Sequence, residues 1–179
     1  MTISVPTPSG TSNFLALMNI VAVVVTYHPE FETLSALLNA LKLQVNSVVV
    51  VDNGSDGGFA EWFDQFRSQG VHGIFLGSNI GVAAAQNAGV DWARQQKADC
   101  VMLFDQDSLP APDMVRRLAE VIQAKQAEGC RVAAVGPKYI DERNPEHPSF
   151  VRLAGLGAET PRCETPRDLV LTDFVISSG

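Results

Sequence analysis

Two aspartates separated by one residue, Asp105 and Asp107, form the strongest chemical feature of this chain. They follow an apolar run, Cys100–Leu103, that is typical of a buried strand. Carboxylate oxygens suit hard divalent cations, which commonly bind one or two carboxylates together with substrate phosphates. Because the pair stands where a strand opens into a loop, it indicates a site for Mg²⁺ or Mn²⁺ and a diphosphate. An isolated Asp-x-Asp also occurs by chance, so support from other segments is needed.

Polar side chains also stand at the ends of two earlier apolar runs. Thr26 and Tyr27 come at the end of the predicted strand Ile20–Thr26, and Asp52 directly follows the predicted strand Ser47–Val51. Tyr27 is interpreted either as a ring that stacks on a base or as a partly exposed tyrosine at a strand end. Asp52 either accepts hydrogen bonds from a nucleobase or a ribose, or is a turn aspartate that caps its own backbone.

An alanine-rich helix is predicted within Asn79–Gln96. Asn79 is either a plain N-cap or a ligand contact, and Gly81 permits close approach of the backbone to a ligand. Asn87 stands inside the helical pattern, where asparagine is not favoured, so it either fills a packing position or reaches the site. Gly89 is interpreted as a close-packing position.

Strand and helix signals alternate at roughly 25-residue intervals, which is typical of βαβ units and a mainly parallel sheet. The predicted strands are Ile20–Thr26, Ser47–Val51, Gly73–Leu76, Cys100–Phe104 and Arg131–Val135. Helical patterns lie between them, over Phe31–Leu41, Ala60–Arg67, Asn79–Gln96 and Pro112–Gln126. The strands are apolar throughout, as expected where helices cover both faces of a sheet. The sequence therefore predicts an α/β fold, in which ligands lie at the carboxyl ends of the strands.

The two ends of the chain differ from this central pattern. Residues 1–19 are predicted as a flexible leader before a domain over residues 20–179. Towards the C-terminus, Phe150–Leu156 and Leu169–Ile176 are predicted strands, and the turn-rich segment Gly157–Asp168 separates them. An unpaired strand at Leu169–Ile176 would invite self-association, so a homo-oligomer is expected.

The composition is that of one globular domain with an acidic balance. Among 179 residues, 13 are Lys or Arg and 20 are Asp or Glu, for a net charge of −7. This argues against nucleic acid as the main partner, because phosphate binding needs basic patches. Cys100, Cys130 and Cys163 show no CxxC spacing and are typical of reduced thiols in a cytoplasmic protein. The apolar run Phe14–Val25 has no basic residue before it and is too short to span a bilayer.

Four motifs, taken in order, resemble the family 2 glycosyltransferases of the GT-A fold. They are VVVTYHPE at 23–30, VVVVDNGSDG at 48–57, NIGVAAAQNAG at 79–89 and MLFDQDS at 102–108. The resemblance is closer still to the bacterial rhamnosyltransferase branch, where the helix typically carries Gln-Asn and the metal motif reads Asp-Gln-Asp-Ser. Gln86 stands where many other family members have an arginine, so a contact of that arginine with phosphate or base is missing here.

The resemblance implies roles for individual residues. Tyr27 would stack on or border the base, Asp52 would bind it, and Asp105 would contact the ribose or a metal-bound water. Asp107 would ligate Mg²⁺ or Mn²⁺ at the diphosphate, with Asp105 as the second metal-site residue. The implied nucleotide-sugar-binding set is completed by Thr26, Asn79, Gly81, Gln86 and Asn87.

The implied reaction is an inverting, metal-dependent transfer of rhamnose from dTDP-rhamnose to a cell-surface polysaccharide. A glycan or lipid-linked saccharide would be the acceptor, at the inner face of the cytoplasmic membrane. The family's general base normally lies beyond the point that corresponds to Gly179, and Asp173 is the candidate near a predicted strand within Asp141–Gly179. We therefore expect a chain that is incomplete at its C-terminus, binds the donor and transfers little sugar.

Two alternative functions stay open at this stage. One is a non-catalytic nucleotide-binding module, and the other is a sugar nucleotidyltransferase. The nucleotidyltransferase would need a glycine-rich, basic loop after the first strand, but Thr26–Thr33 contains no Gly, Lys or Arg.

Overall fold

Strands and helices alternate in the computed structural model, which describes residues 3–4, 18–138, 150–154, 157–161, 168–173 and 175. The strands are β1 (Ile3–Ser4), β2 (Ile20–Thr26), β3 (Ser47–Asp52), β4 (His72–Phe75), β5 (Cys100–Asp105), β6 (Arg152–Ala154), β7 (Gly157–Glu159) and β8 (Asp168–Leu169). The helices are α1 (Phe31–Lys42), α2 (Phe59–Arg67), α3 (Val82–Gln95) and α4 (Met114–Ala127). Residues 12–116 belong to one compact unit, and residues 1–11 with 117–177 belong to a second.

Strands β2 to β5 form a parallel sheet with the spatial order β4-β3-β2-β5. Strand β2 lies inside this sheet, and all seven of its residues are buried. A run of β-branched residues suits this position, because such side chains pack well on a pleated surface and a strand covered on both faces needs no polar alternation. The predicted α/β fold with a mainly parallel sheet is confirmed.

Helix α3 covers one face of the sheet. Gly89 lies so close to β2 and β3 that a Cβ atom there would stand 2.3 Å from a methyl group of Val23 and 3.1 Å from one of Val51. Ala85 and Ala93, about one turn to either side, are fully buried in the same core. Small residues along this stripe let the helix approach the sheet, which explains a glycine that costs about 1 kcal/mol relative to alanine inside a helix.

Helix α2 covers the opposite face. Gly73 of β4 pairs in register with Val50, and a Cβ atom at Gly73 would stand 2.5 Å from the ring of Phe63 in α2. Because successive side chains of a strand point to opposite faces, Phe63 lies on the face of Val50, and α3 lies on the face of Val51. Helices on both faces of the sheet are therefore present, as predicted.

Helix α1 contacts β3 and packs beside α2. Its buried residues recur at helical spacing, at Leu34, Leu37, Leu38 and Leu41. The rings of Phe31 and Trp62 stack with their centroids 4.5 Å apart and join the two helices. The segment before α1 is thereby tied to a firmly packed helix.

The prediction of a fifth strand after α4 is wrong. Arg131–Val135 forms neither helix nor strand, and no described strand pairs with it. An apolar run becomes a strand only when a neighbouring strand accepts its hydrogen bonds, and here α4 is followed by Gly129, with a φ of +82°, and then by irregular chain. The segment Gly157–Asp168 is not turn throughout, because β7 pairs antiparallel with β6.

A further short pair joins the two ends of the second unit. Strand β1 pairs antiparallel with β8, so Ile3–Ser4 of the predicted leader is in a strand pair, whereas residues 1–2 and 5–17 lie outside the described residues. The predicted strand Leu169–Ile176 is wrong over most of its length: Leu169 is in β8, residues 170–173 and 175 are in no strand, and residues 174 and 176 are outside the described residues. No helix in the described parts of the chain is long and apolar enough to cross a bilayer.

Glu30 caps the N-terminus of α1. Its carboxylate accepts the backbone N–H groups of Glu32 and Thr33 and the Thr33 hydroxyl, at distances between 2.6 and 3.2 Å. These hydrogen bonds, above all the one from the backbone of Thr33, hold the pKa of Glu30 below its ordinary value of 4.5. The stability of the domain should therefore depend on the charge of this side chain.

We expect Glu30→Gln to lower the melting temperature at pH 7 and to have less effect near pH 3. A carboxylate with a depressed folded-state pKa contributes stability above its unfolded pKa, and that contribution is lost as pH falls through the folded pKa. Thermal denaturation between about pH 3 and 7 measures the difference. The control is Glu61→Gln in the first turn of α2, which should show a smaller pH dependence. An equal loss for Glu30→Gln at both ends of the pH range would contradict the capping role.

Candidate functional site

The carboxyl ends of β2, β3 and β5 bring three predicted site residues to one edge of the sheet. Thr26 pairs in register with Asp52, and Val25 pairs with Asp105. Thr26 and Asp52 are buried, with 0% and 4% of their surface exposed, whereas Asp105 is half-buried. This edge is the position at which parallel sheets bind ligands.

Asp52 organises the turn that follows β3. Its Oδ1 accepts hydrogen bonds from Thr26 Oγ1 at 3.1 Å and from the hydroxyl of Ser55, and its Oδ2 accepts the backbone N–H of Ser55 at 3.0 Å. A carboxylate offers about four lone-pair positions, so Oδ2 retains one for a further donor. Asp52 therefore caps its own turn, and one lone-pair position on Oδ2 is not used by any described residue.

Asn53 joins this turn to the start of α3. Its backbone N–H donates to the Thr26 carbonyl at 2.7 Å. Its side-chain N–H donates to Asn79 Oδ1 at 3.0 Å, and its Oδ1 accepts the N–H of Ile80 at 2.9 Å. Asn79 Oδ1 also accepts the N–H of Gly81, at 3.0 Å. The side-chain oxygen of Asn79 thus closes the turn before α3, but the interpretation of Asn79 as the N-cap is wrong, because the N-cap of α3 is Gly81.

Gly54 interlocks the turns that follow β3 and β4. Its φ is +93°, and a Cβ atom there would stand 2.6 Å from the carbonyl carbon of Ser78 and 2.7 Å from the nitrogen of Asn79. The neighbouring atoms are backbone and have little freedom to move. Glycine is therefore required here by both the backbone conformation and the close approach.

The turn after β2 adopts an uncommon backbone conformation. His28 has a φ of +47°, which few residues other than glycine adopt, and its N–H donates to Ser55 Oγ at 2.9 Å. Tyr27 beside it has 45% of its surface exposed, and its ring meets the His28 ring edge-on at 4.2 Å. A depression of about 190 Å³ between this turn and the turn after β3 is lined by His28, Pro29, Phe31, Ser55, Asp56 and Phe59, together with Gly57.

The loop after β5 presents two carboxylates without partners in the described chain. No described residue forms an ion pair or a hydrogen bond with the side chain of Asp105 or of Asp107, and Asp107 is exposed. The next residue, Ser108, is 5% exposed, and its hydroxyl oxygen is buried with no partner among the described residues. Within the same parts of the chain, no group of three or more His, Cys, Asp or Glu could hold a metal ion. Mg²⁺ can bind through one or two carboxylates and complete its shell with phosphate and water, so two aspartates without a third such residue are compatible with this cation.

Gln106, between the two aspartates, bonds across to the turn after β2. Its Oε1 accepts the backbone N–H of Tyr27 at 2.8 Å, and its side-chain N–H donates to the Tyr27 carbonyl at 3.3 Å. The loop that carries the carboxylates and the turn that carries the exposed ring are therefore joined directly.

Gln86 and Asn87 are not drawn into the hydrogen bonds of this edge. Gln86 is half-buried, Asn87 is exposed, and neither bonds to any edge residue that the structure describes. Gly81 precedes α3 with a φ of +90° and has open space where a Cβ atom would stand. The roles of these three residues toward a ligand stay predictions.

Two titratable residues with shifted pKa values lie at the opposite, amino-terminal ends of strands. Burial, reinforced by Arg67, lowers the pKa of His72, whose ring stacks on Trp92 with the centroids 4.7 Å apart. Burial, reinforced by Asp99, raises the pKa of the Cys100 thiol. These shifts keep both side chains neutral at pH 7, so neither brings a charge to the sheet.

A known protein family matches the part of the chain that contains this sheet edge. Residues 22–173 match the family described as Glycosyl transferase family 2, a range that includes the carboxyl ends of β2, β3 and β5. This chain belongs to glycosyl transferase family 2. The predicted family is therefore confirmed, and the family 2 match extends well beyond the four motifs.

A curated relative supports the rhamnosyltransferase branch of the family. The dTDP-rhamnosyl transferase RfbF of Shigella flexneri is 37% identical over 123 residues, which are 69% of this chain and 39% of that protein. This family 2 chain thus spans less than half the length of that relative. A solved structure of GalNAc-T7 with UDP, GalNAc and Mn²⁺ has a TM-score of 0.47 and 16% identity, and the match covers 59% of this chain and 21% of that one.

Three residues of the edge were not among the predicted site residues: Asn53, Ser55 and Gln106. Asn53 and Ser55 lie in a turn-prone stretch, where composition indicates a turn without indicating which side chain bonds to which segment. Gln106 could have been found, because it stands between two predicted site residues and carries both a donor and an acceptor. The side chains of these three residues bond to neighbouring segments of the sheet edge, so they hold those segments in position.

Ser55→Ala should lower the free energy of unfolding by about 1–3 kcal/mol, because it removes the acceptor for the N–H of His28 and one of the two donors to Asp52 Oδ1. Urea denaturation measures the change. The matched control is Ser68→Ala at the C-cap of α2, where an exposed hydroxyl donates to the Gln65 carbonyl at 2.8 Å. There we expect a change within about 0.5 kcal/mol. Similar effects at the two positions would show that the Ser55 hydroxyl is no more important than an exposed one.

Proposed function

We propose that this edge binds a nucleotide-sugar with a divalent cation, as the donor site of an inverting glycosyltransferase. The observation that carries the proposal is one juxtaposition at the ends of neighbouring strands. The buried Asp52, with one lone-pair position that no described residue uses, stands at the end of β3, while Asp105 at the end of β5 and Asp107 in the loop after it have no side-chain partner among the described residues. Asp52 suits the base of a nucleotide, and the pair Asp105 and Asp107 suits a cation and its diphosphate.

The base would be held by Tyr27 and Asp52. The exposed ring of Tyr27 offers a surface for stacking, which contributes about 1–3 kcal/mol for a base on an aromatic side chain. The open position on Asp52 Oδ2 can accept one N–H from the edge of the base. Thymine and uracil carry a ring N–H, and cytosine does not, so this arrangement supports a thymine or uracil nucleotide.

Asp105 and Asp107 would hold Mg²⁺ or Mn²⁺ at the diphosphate. Such a cation, when bound, offsets the negative charge on the leaving nucleoside diphosphate. The chain's own contribution is to fix two acidic side chains at the end of β5, next to the turn that receives the base. Without a cation, these carboxylates would repel a diphosphate, and a net charge of −7 on the chain would add to that repulsion. Nucleotide binding should therefore depend on the cation.

We further propose dTDP-rhamnose as the donor and a glycan or lipid-linked saccharide as the acceptor. The support for rhamnose is the 37% identity with a dTDP-rhamnosyl transferase. In an inverting transfer, a carboxylate takes the proton of the acceptor hydroxyl. The oxygen of that hydroxyl attacks the anomeric carbon of the sugar as the bond from this carbon to the diphosphate breaks. Asp173 is poorly suited to this step, because its Oδ2 accepts the N–H of Leu153 at 2.6 Å. The general base is left unassigned.

A cytoplasmic location and self-association stay predictions within this proposal. Among the described residues, Cys100 and Cys130 are free thiols, which agrees with a reducing compartment. Cys163 lies outside the described residues.

Asp107→Asn should weaken Mn²⁺-dependent binding of dTDP by at least about tenfold, since a charged ligand to the cation is lost. The free energy of unfolding should change by less than about 0.5 kcal/mol, because the side chain is exposed. Calorimetric titration with dTDP and Mn²⁺ measures the affinity, and Asp91→Asn on the exposed side of α3 is the control for lost charge.

Unchanged affinity in Asp107→Asn would remove this residue from the site. Absence of dTDP binding by the wild-type chain, with or without Mn²⁺, would overturn the proposed function itself. Binding by a protein extended beyond these residues that never turns over dTDP-rhamnose would favour the non-catalytic module.

Base selection provides an independent test of Asp52. We expect dTDP and dUDP to bind with affinities within a few fold of each other, and dCDP to bind at least about tenfold more weakly, because cytosine presents no ring N–H to the open acceptor position. Competition titrations with Mn²⁺ held constant measure the three affinities. Equal affinities for dTDP and dCDP would show that Asp52 serves the turn alone.

A further inference from the structure

Gln106 stands where the registered pairing of β2 with β5 ends. The last pair is Val25 with Asp105, so Thr26 and Gln106 would come next. Beyond this point the link is made by a side chain: Gln106 bonds to both the backbone N–H and the backbone carbonyl of Tyr27. A side-chain amide carries the same kinds of donor and acceptor as a peptide group. The link between the two strands is thereby extended into their loops.

The anchoring of Tyr27 differs from that of its two neighbours. Thr26 and His28 bond through their backbones to the turn after β3, at 2.7 and 2.9 Å. Tyr27 instead bonds to Gln106 in the loop after β5. Tyr27 has 45% of its surface exposed, and its ring meets the ring of the adjacent His28, so the position of the backbone in this turn has a large influence on where the ring lies.

We propose that Gln106 is a positioning residue, which fixes Tyr27 relative to the Asp105–Asp107 loop so that the base and the diphosphate of one ligand are received together. This inference rests on the proposed function and adds a role that neither aspartate can fill. A carboxylate only accepts, whereas Tyr27 requires one acceptor and one donor from its partner. Glutamine supplies both from a single side chain.

Two substitutions separate the two hydrogen bonds. Gln106→Met keeps a side chain of similar length and removes both bonds. Gln106→Glu keeps an acceptor for the Tyr27 N–H and loses the donor to the Tyr27 carbonyl. Gln95→Met, at an exposed position near the end of α3, is the matched control.

The test uses fluorine NMR of the chain with 3-fluorotyrosine incorporated. The chain has two tyrosines, Tyr27 and Tyr139, so two resonances are expected, and Tyr27→Phe assigns them. Spectra are recorded without ligand and during titration with dTDP in the presence of Mg²⁺. Urea denaturation of each variant measures the free energy of unfolding in parallel.

We expect Gln106→Met to shift or broaden the Tyr27 resonance and to weaken binding of dTDP with Mg²⁺ by about 5- to 30-fold. Gln106→Glu should lie between this variant and the wild type, and Gln95→Met should match the wild type. A purely structural role would lower the free energy of unfolding and leave the dTDP affinity of the folded protein unchanged, which would overturn the inference.

Three further outcomes also bear on the role of Gln106. An unmoved Tyr27 resonance in Gln106→Met would overturn the inference, even if dTDP binds to the wild type as proposed. If Gln106→Met does not fold, Gln106→Glu is judged by the same two measurements. If the wild type binds no dTDP, the proposed function fails, and the Tyr27 resonance alone decides whether Gln106 positions this turn.

Discussion

Burial of β2 on both faces is the constraint on which the rest of this domain depends. All seven residues of the strand are buried, so side chains of this segment can contact solvent or a ligand only beyond the end of the strand. Thr26 is still buried, and its hydroxyl needs a partner inside the protein, which Asp52 supplies. Tyr27, the next residue, has 45% of its surface exposed. The change from core to surface thus occurs between two adjacent residues, and the candidate site lies at that boundary.

The polar residues behind this boundary are bonded to one another before any ligand arrives. Asp52 and Asn53 are nearly fully buried, where an unsatisfied polar group would be costly. Their hydrogen bonds to Thr26, Ser55 and Asn79 satisfy them and leave the connecting turns few other arrangements. A site that is ordered in advance loses less conformational entropy on binding. The same bonds that stabilise the fold should therefore also favour affinity for a donor.

The sheet could be predicted from the sequence because its strands carry strong local signals. Ile20–Thr26 is apolar and β-branched over nearly its whole length, and the helices between strands show clear helical spacing. Arg131–Val135 has a similar local signal but no described partner strand, and a single run of sequence holds no information about its partner. The same limit applies to Gln106, whose bond to Tyr27 joins residues 79 positions apart.

The site was predictable in its location but not in its internal bonding. Polar residues after several strands of a parallel sheet converge at one edge whatever their individual roles are. Whether Asp52 serves its turn or a ligand depends on how many of its lone pairs the protein uses, which only the three-dimensional arrangement of Thr26 and Ser55 reveals. Family resemblance assigned roles to positions, and the geometry adds which of these side chains bond to neighbouring turns.

The close contact at Gly54 couples the turn after β3 to the turn after β4. The backbone of Ser78 and Asn79 occupies the space where a side chain of residue 54 would stand, so neither turn can shift far without displacing the other. The two turns are therefore expected to move together if either of them moves. For protein engineering, it follows that a graft intended to change the nucleotide preference has to exchange both turns together, with glycine retained at their contact.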